Sequence, residues 1–287
     1  MSVTSPEVVE GTGTTSFVRA WGPFVAAGLV AGILSELFGI GGGLIIVPML
    51  VMLFHFKQKI AQGTSLTAIV IIAIAGAVPY VLHEHIDWLA AALIVVGGVT
   101  GSFIGSAIVH HLNDDWLRVI FAVVVVASAA KMFFAVSSSG GAASVSPAHS
   151  AAIAGAYLLA GLAMGTLSSL VGVGGGIILV PMLAIFLGLA QPEAQGLSLV
   201  VMAPVSIVGA VRNGRNGYIN LPAGIAIGIG GAIMSPLAAL LALHMPIKAL
   251  SYLFGALLLF TAGQLVYKVV QSRREARAQQ VLSQPEV

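Results

Sequence analysis

The sequence predicts an all-α integral membrane protein built from two inverted-topology repeats, each of about five hydrophobic segments, with helices broken at glycine-rich stretches. Three observations carry that prediction. Of 287 residues, 58% are hydrophobic and 8% charged, with a mean hydropathy of +1.05, far from the averages of a soluble domain. Apolar runs recur from Trp21 to Val270, several long enough for the roughly 20 residues that a spanning helix needs. The stretch GIGGGLIIVPML, Gly39 to Leu50, returns as GVGGGIILVPML, Gly172 to Leu183.

The segments follow in order. Residues 1–20 form a polar tail without the basic lead-in of a signal peptide. The first repeat, 21–136, divides into apolar segments at 21–38, 40–56, 61–82, 88–110 and 115–136. A Ser/Gly/Ala-rich linker, 137–149, separates it from the second repeat, 150–270, with segments at 150–171, 173–189, 194–211, 219–243 and 247–270. Residues 271–287 are a basic tail. Helices are implied rather than a barrel, because Ile69 to Val78 and Ile120 to Ala130 are apolar on every face instead of alternating.

Displacing the chain by 133 residues superimposes its halves without a gap: 11 of the 16 residues from Ser35 to Leu50 are identical to those from Ser168 to Leu183. Gln62, Gly63, Ser65 and Leu66 meet Gln195, Gly196, Ser198 and Leu199; Gly76 meets Gly209, and Gly97 and Gly98 meet Gly230 and Gly231. An odd number of segments per half predicts opposite orientations. Lysine and arginine agree, since cytoplasmic loops concentrate them. With both termini cytoplasmic, Arg19, Lys57, Lys59, Arg118, Arg212, Arg215, Lys268, Arg273, Arg274 and Arg277 fall inside, and only Lys131 and Lys248 outside. Trp88 and Trp116 fit interfacial anchors in this scheme.

Within the duplicated motif, Ile40 to Val47 reads as an unwound stretch, with a helix starting near Pro48, where a proline costs no hydrogen bond. About eight residues near 3.3 Å and nine at 1.5 Å would cross a core of about 30 Å. The helix breaks are therefore expected at Gly39, Pro48, Gly172 and Pro181. Two such breaks brought together near the bilayer middle would aim free N–H groups and positive helix ends at a shared cavity, an environment that suits an anion. The alternative is that the glycines only allow close helix packing. Expected substrate contacts are Gly41, Gly42, Gly43, Thr64 and Ser65 in the first half, with Gly174, Gly175, Gly176 and Ser198 in the second. Thr67 and Ser206 are expected to bond only their own helix backbone.

The paired GxGGGxxxVPML motifs, each followed by QGTSL or QGLSL, resemble the TauE/SafE family of membrane proteins, sulfite exporters and their relatives, over about residues 20 to 270. The resemblance implies a small sulfur-containing anion, such as sulfite, sulfoacetate or a related organosulfur compound. It also implies transport across the cytoplasmic (inner) membrane, most commonly export. The residues by themselves reach only a small anion.

Other residues are weighed beside these. Glu36 is the one acid well inside an expected span, and its repeat partner is Ser169. An intramembrane acid is by default functional, so Glu36 is a candidate for proton coupling, against a helix-capping alternative. Arg212 and Asn213 are topology determinants or attract the anion at the inner mouth. His83 to Asp87 has metal-capable side chains but no second cluster answers it, so no metal site is expected. Gly97, Gly101 and Gly105, and Gly224 with Gly228, read as helix contact ridges, within the halves or between protomers of a homo-oligomer. No cofactor or nucleic-acid partner is indicated, and the bilayer is the expected surrounding. The absence of HExxH, of a Ser/His/Asp set and of paired intramembrane carboxylates disfavours an enzyme, and the absence of a Walker loop disfavours ATP drive. A secondary transporter is expected; a passive anion channel, or uptake rather than export, is the alternative.

Overall fold

The computed structural model describes residues 14–84, 86–108, 151–171, 174–259 and 263. Among them every regular element is a helix: α1 (Thr14–Phe38), α2 (Gly43–Met52), α3 (Gln58–His83), α4 (Trp88–Ile108), α5 (Ala151–Val171), α6 (Gly176–Phe186), α7 (Gln191–Arg215), α8 (Leu221–His244) and α9 (Ile247–Leu259). The first residues of α2, α3 and α4 lie 133 positions before those of α6, α7 and α8, so the periodicity read from the sequence recurs in the helix starts. Four stretches, Trp21–Phe38, Gln58–His83, Gln191–Arg215 and Leu221–His244, are long and apolar enough to cross a bilayer. Their outward faces carry large apolar side chains such as Leu82, Val211 and Leu237, which water would not tolerate together. The protein is an integral membrane protein.

The expected second crossing is corrected. Helix α2 is ten residues, about 15 Å and half of a bilayer core, and it folds back along α1. Its first turn sits where a Cβ on Gly42 would lie 3.4 Å from the Ala31 carbonyl, and beyond its far end Phe54 stacks on Phe24 with ring centroids 4.2 Å apart. The turn itself, residues 38–43, is buried throughout. Residues 21–56 are therefore a re-entrant hairpin, and α5 with α6 repeats its turn, the Cβ position of Gly175 falling 3.2 Å from Ser168 Cβ. The sequence estimate erred by treating the glycine run as extended chain, whereas only residues 39–42 leave the helix.

The halves are interleaved. Helix α1 packs on α8, and α4 packs on α5. Each interface brings backbone against backbone at glycines: Gly28 and Gly32 meet Ile227 and Gly231, while Gly161 and Gly165 meet Ile94 and Gly98 at the repeat-equivalent places. Small residues permit such approaches, and membrane helices depend on them because lipid offers no hydrophobic drive for helix association. Gly97 and Gly101 face Leu158 and Leu162 of α5, while Gly224 and Gly228 face Thr67 and Ile71 of α3. These ridges thus join one half to the other, whereas the spacing alone predicts packing within the halves or between protomers.

Helices α3 and α7 form the centre and run antiparallel. At one end Gly63 packs on Asn213 and the Tyr218 carbonyl, at the other Gly196 packs on Tyr80 and Ile86. Lys59 lies 5.4 Å above the Tyr218 ring, which gathers Lys57, Lys59, Arg212 and Arg215 on one face of the molecule. The expected segment 115–136, residues 260–262 and 264–270 of the last segment, the linker, residues 1–13 and the C-terminal tail lie outside the described residues, while residues 14–20, expected in the N-terminal tail, are helical and begin α1.

Candidate functional site at the two glycine breaks

Helix α1 ends at Phe38 because Gly39 turns left-handed, with φ 66°, a conformation that costs glycine little. The Ile40 N–H then donates to the Ser35 carbonyl at 3.1 Å, the closing bond of a Schellman turn. A helix end inside a membrane leaves carbonyls that must find donors. Gln195 Nε2 donates to the Leu37 carbonyl at 3.0 Å, and Ser198 Oγ to the Gly39 carbonyl at 3.0 Å, both from α7 of the other half. The Tyr80 hydroxyl has one proton and stands 3.1 Å from the Glu36 carbonyl and 3.2 Å from Gln195 Oε1. Gln195, Ser198 and Tyr80 are fully buried, so the first break is held by side chains that water does not reach.

Gly41 and Gly42 are also left-handed, with φ 68° and 73°, and Gly42 is the N-cap of α2, its carbonyl accepting from Ile45 and Ile46 at 2.9 Å. At the second break Gly174 and Gly175 have φ 80° and 79°, and the Gly175 carbonyl accepts from Ile178 at 3.0 Å and Leu179 at 3.1 Å. Helices α2 and α6 thus begin in the protein interior, where their first N–H groups have no partner within their own helix. The breaks touch. A Cβ on Gly176 would lie 2.8 Å from both the Gly39 carbonyl oxygen and Ile40 Cα. Gly41 and Gly174, which are repeat partners, both abut Ile69 and Met202, which are repeat partners too and fully buried. These four residues, two from each half, meet in the protein interior.

Of the expected contacts, Gly41, Gly174, Gly176 and Ser198 are brought together. Gly43 opens α2 and is buried, while Gly42 packs on Ala31 and Ser35 of α1 and Gly175 on Met164 and Ser168 of α5. Thr64 is elsewhere: its hydroxyl accepts the Asn220 N–H at 2.9 Å, beside the N-cap of α8. Ser65 donates to the Gln62 carbonyl at 3.0 Å within its own helix. The expectation for Thr67 and Ser206 is reversed, since neither hydroxyl oxygen has a hydrogen-bond partner. Pro48 and Pro181 do not open helices. Each lies six residues into α2 or α6, where it deletes one interior hydrogen bond and weakens an already short helix. Gly39 does mark a break, and Gly172 lies outside the described residues.

Arg212 donates to the Ser102 carbonyl at 3.4 Å and lies 5.4 Å from the Phe103 ring, and Asn213 bonds back to Gly209 at 3.0 Å. Both sit at the α7 terminus rather than at the breaks. Asp87 accepts from Leu89 at 2.9 Å and from Ala90 at 3.0 Å, which occupies it as a cap for α4. Sequence reasoning did not place Ile69, Met202 or Tyr80 at the site. For the first two a signal existed, since each stands four residues after Ser65 or Ser198 and so on the same helix face. Tyr80 had none, because its repeat partner is Asn213.

The family profile described as Sulfite exporter TauE/SafE matches the chain twice, over residues 24–157 and 156–285. Among curated proteins, the chain is 24% identical over 271 residues to the probable membrane transporter protein YunE of Bacillus subtilis, covering 86% of this chain and 98% of that protein. It is 30% identical over 261 residues to a probable membrane transporter protein of Haemophilus influenzae, covering 84% of this chain and 96% of that one. A probable membrane transporter protein of Methanocaldococcus jannaschii shares 27% identity over 71% of this chain and 80% of its own length. No solved structure matches the chain.

Proposed function

This chain belongs to the Sulfite exporter TauE/SafE family, whose curated relatives are named membrane transporters, and on that premise we propose that it is a secondary transporter of a small anion. Sulfite or a related organosulfur anion is the substrate class, export across the cytoplasmic membrane the direction, and alternating access between two inverted repeats the mechanism. The observation that carries the reading is the meeting of the two breaks at Gly41, Gly174, Ile69 and Met202. Two interior helix N-termini converge there and favour negative charge. The antiparallel course of the equivalent helices α3 and α7 supports the inversion, and the basic side chains gathered at one face support placing that face in the cytoplasm.

In this reading the arrangement is an occluded one. Met202 fills the place that the anion takes, and its unbranched thioether side chain yields readily. Rocking of one hairpin against the other opens the breaks to either side. A methyl group at Gly41 or Gly174 would intrude on Met202 and Ile69 and close that space.

Purified protein in liposomes loaded with sulfite should show saturable flux, strongly lowered in Gly41→Ala and Gly174→Ala, because the added methyl at either position overlaps Met202 in the space that the anion takes. Wild-type flux in both variants would remove the breaks as the anion site. Linear, non-saturating conductance would favour a channel.

A further inference from the structure

Glu36 is fully buried in the last turn of α1, where α1, α3 and α8 meet. Its carboxyl lies directly on Gly76 of α3: a Cβ at that glycine would coincide with Cδ and both carboxyl oxygens. Oε1 has only the Ser35 hydroxyl at 3.5 Å, beyond good hydrogen-bond length, and Oε2 has no partner. The Ser235 hydroxyl faces it from α8 but donates to the Gly231 carbonyl of its own helix at 2.8 Å. The titratable group facing it from α3 is Tyr80, which donates elsewhere. Among the described residues no lysine, arginine or histidine is paired with it.

We propose that Glu36 is the residue that binds and releases the proton driving transport, a role that rests on the transporter reading above. A carboxylate with no counter-charge and only two serine hydroxyls facing it is costly inside a membrane, so the packed state holds the acid neutral, with its proton on an oxygen. A metal cation in place of the proton does not fit. It needs several oxygen ligands, whereas one face of this carboxyl is closed by the Gly76 backbone and, among the described residues, no second carboxylate is buried with it.

The acid is also wired to the first break. Its own carbonyl is held by Tyr80, which holds Gln195, which holds Leu37. Loss of the proton from the carboxyl to water leaves a charge that has to leave the Gly76 surface, and that movement loosens the turn at Gly39. Rebinding of a proton from water restores the packed state. A proton moving inward down its gradient thus exchanges for an anion moving out, which is the direction of the export reading. The second half has Ser169 at this position and cannot carry the proton.

Infrared titration of the purified full chain reads the acid without any substrate. At neutral pH the wild type should show a protonated-carboxyl band that Glu36→Gln lacks and that disappears on alkalinisation. Glu36→Asp, which keeps the acid, should shift the band and serves where Glu36→Gln is not recovered folded. No difference between wild type and either variant at any pH would overturn the proposal. In proteoliposomes with an imposed pH difference and sulfite as probe, the gradient should raise wild-type flux on the order of tenfold, a typical coupling, and leave Glu36→Gln unmoved. A gradient response retained by Glu36→Gln overturns the coupling role, as does a response to sodium alone that Glu36→Gln abolishes. If the wild type moves no sulfite, the substrate reading fails while the infrared result still decides whether Glu36 carries the proton.

Discussion

At the first break Gly39, Gly41 and Gly42 turn left-handed and α2 starts at Gly43; at the second Gly174 and Gly175 do the same and α6 starts at Gly176. The backbones match, and so do the glycine interfaces that hold them. Their chemistry does not: Glu36 stands opposite Ser169, Tyr80 opposite Asn213, and Pro79 opposite Arg212. Tyr80 and Glu36 meet at the interior tip of the first hairpin, whereas Asn213 and Arg212 sit at the basic end of α7. Duplicated geometry thus builds the centre, and differences in side chains make the two approaches to it unlike.

The widest contrast concerns orientation. Lys57 and Ala190 are repeat partners and N-caps of α3 and α7, with φ −62° at each. In the cysteine-free background, Lys57→Cys and Ala190→Cys should react with an impermeant thiol reagent from opposite sides of the membrane. Labelling of both from one side would break the inverted arrangement.

Next come the shared interfaces. Gly32→Val and Gly165→Val each force a side chain onto the backbone of Gly231 or Gly98, and overpacking that has no flexible neighbour to displace costs about 1–3 kcal/mol or more. Both should reduce folded yield and melting temperature in detergent by similar amounts. A loss at one position alone would show that the two halves are not equally tight.

The smallest effect separates the halves. Tyr80→Phe leaves the Glu36 carbonyl and Gln195 Oε1 without their shared donor, at a cost of about 1–3 kcal/mol for a buried unsatisfied group. Asn213→Leu at the equivalent position removes only a bond to its own helix and should cost about 1 kcal/mol or less. Thermal melts of the two variants check the order, and equal losses would contradict a special role for Tyr80.

Most of the architecture was legible in composition and in the 133-residue displacement, because both repeats announce themselves in glycine, proline and glutamine at fixed spacing. The re-entrant course of α2 was not. Chain reach alone allows residues 40–56 to cross, and only the packing of Phe54 on Phe24 shows that they return. At the site, Ser198 was readable from its place in the duplicated QGLS, whereas Thr64 misled, because a hydroxyl one residue from Ser65 on a helix faces a different neighbour. Tyr80 could not be found from any repeat or motif. Its role depends on where the end of α3 meets the end of α1, which is tertiary information.

Interleaving has a consequence for how the molecule is made. The interface between α1 and α8 joins residues near 28 to residues near 231, so α1 must wait in the membrane until most of the chain has been synthesised. At about 5–20 residues per second that delay is on the order of tens of seconds. During it, the glycine stripe of α1 and the open turn at Gly39 face lipid or a chaperone, with Gln195 and Ser198 not yet translated. A polypeptide halted after the first repeat would therefore carry an unsealed helix end, with the Leu37 and Gly39 carbonyls lacking the donors Gln195 and Ser198.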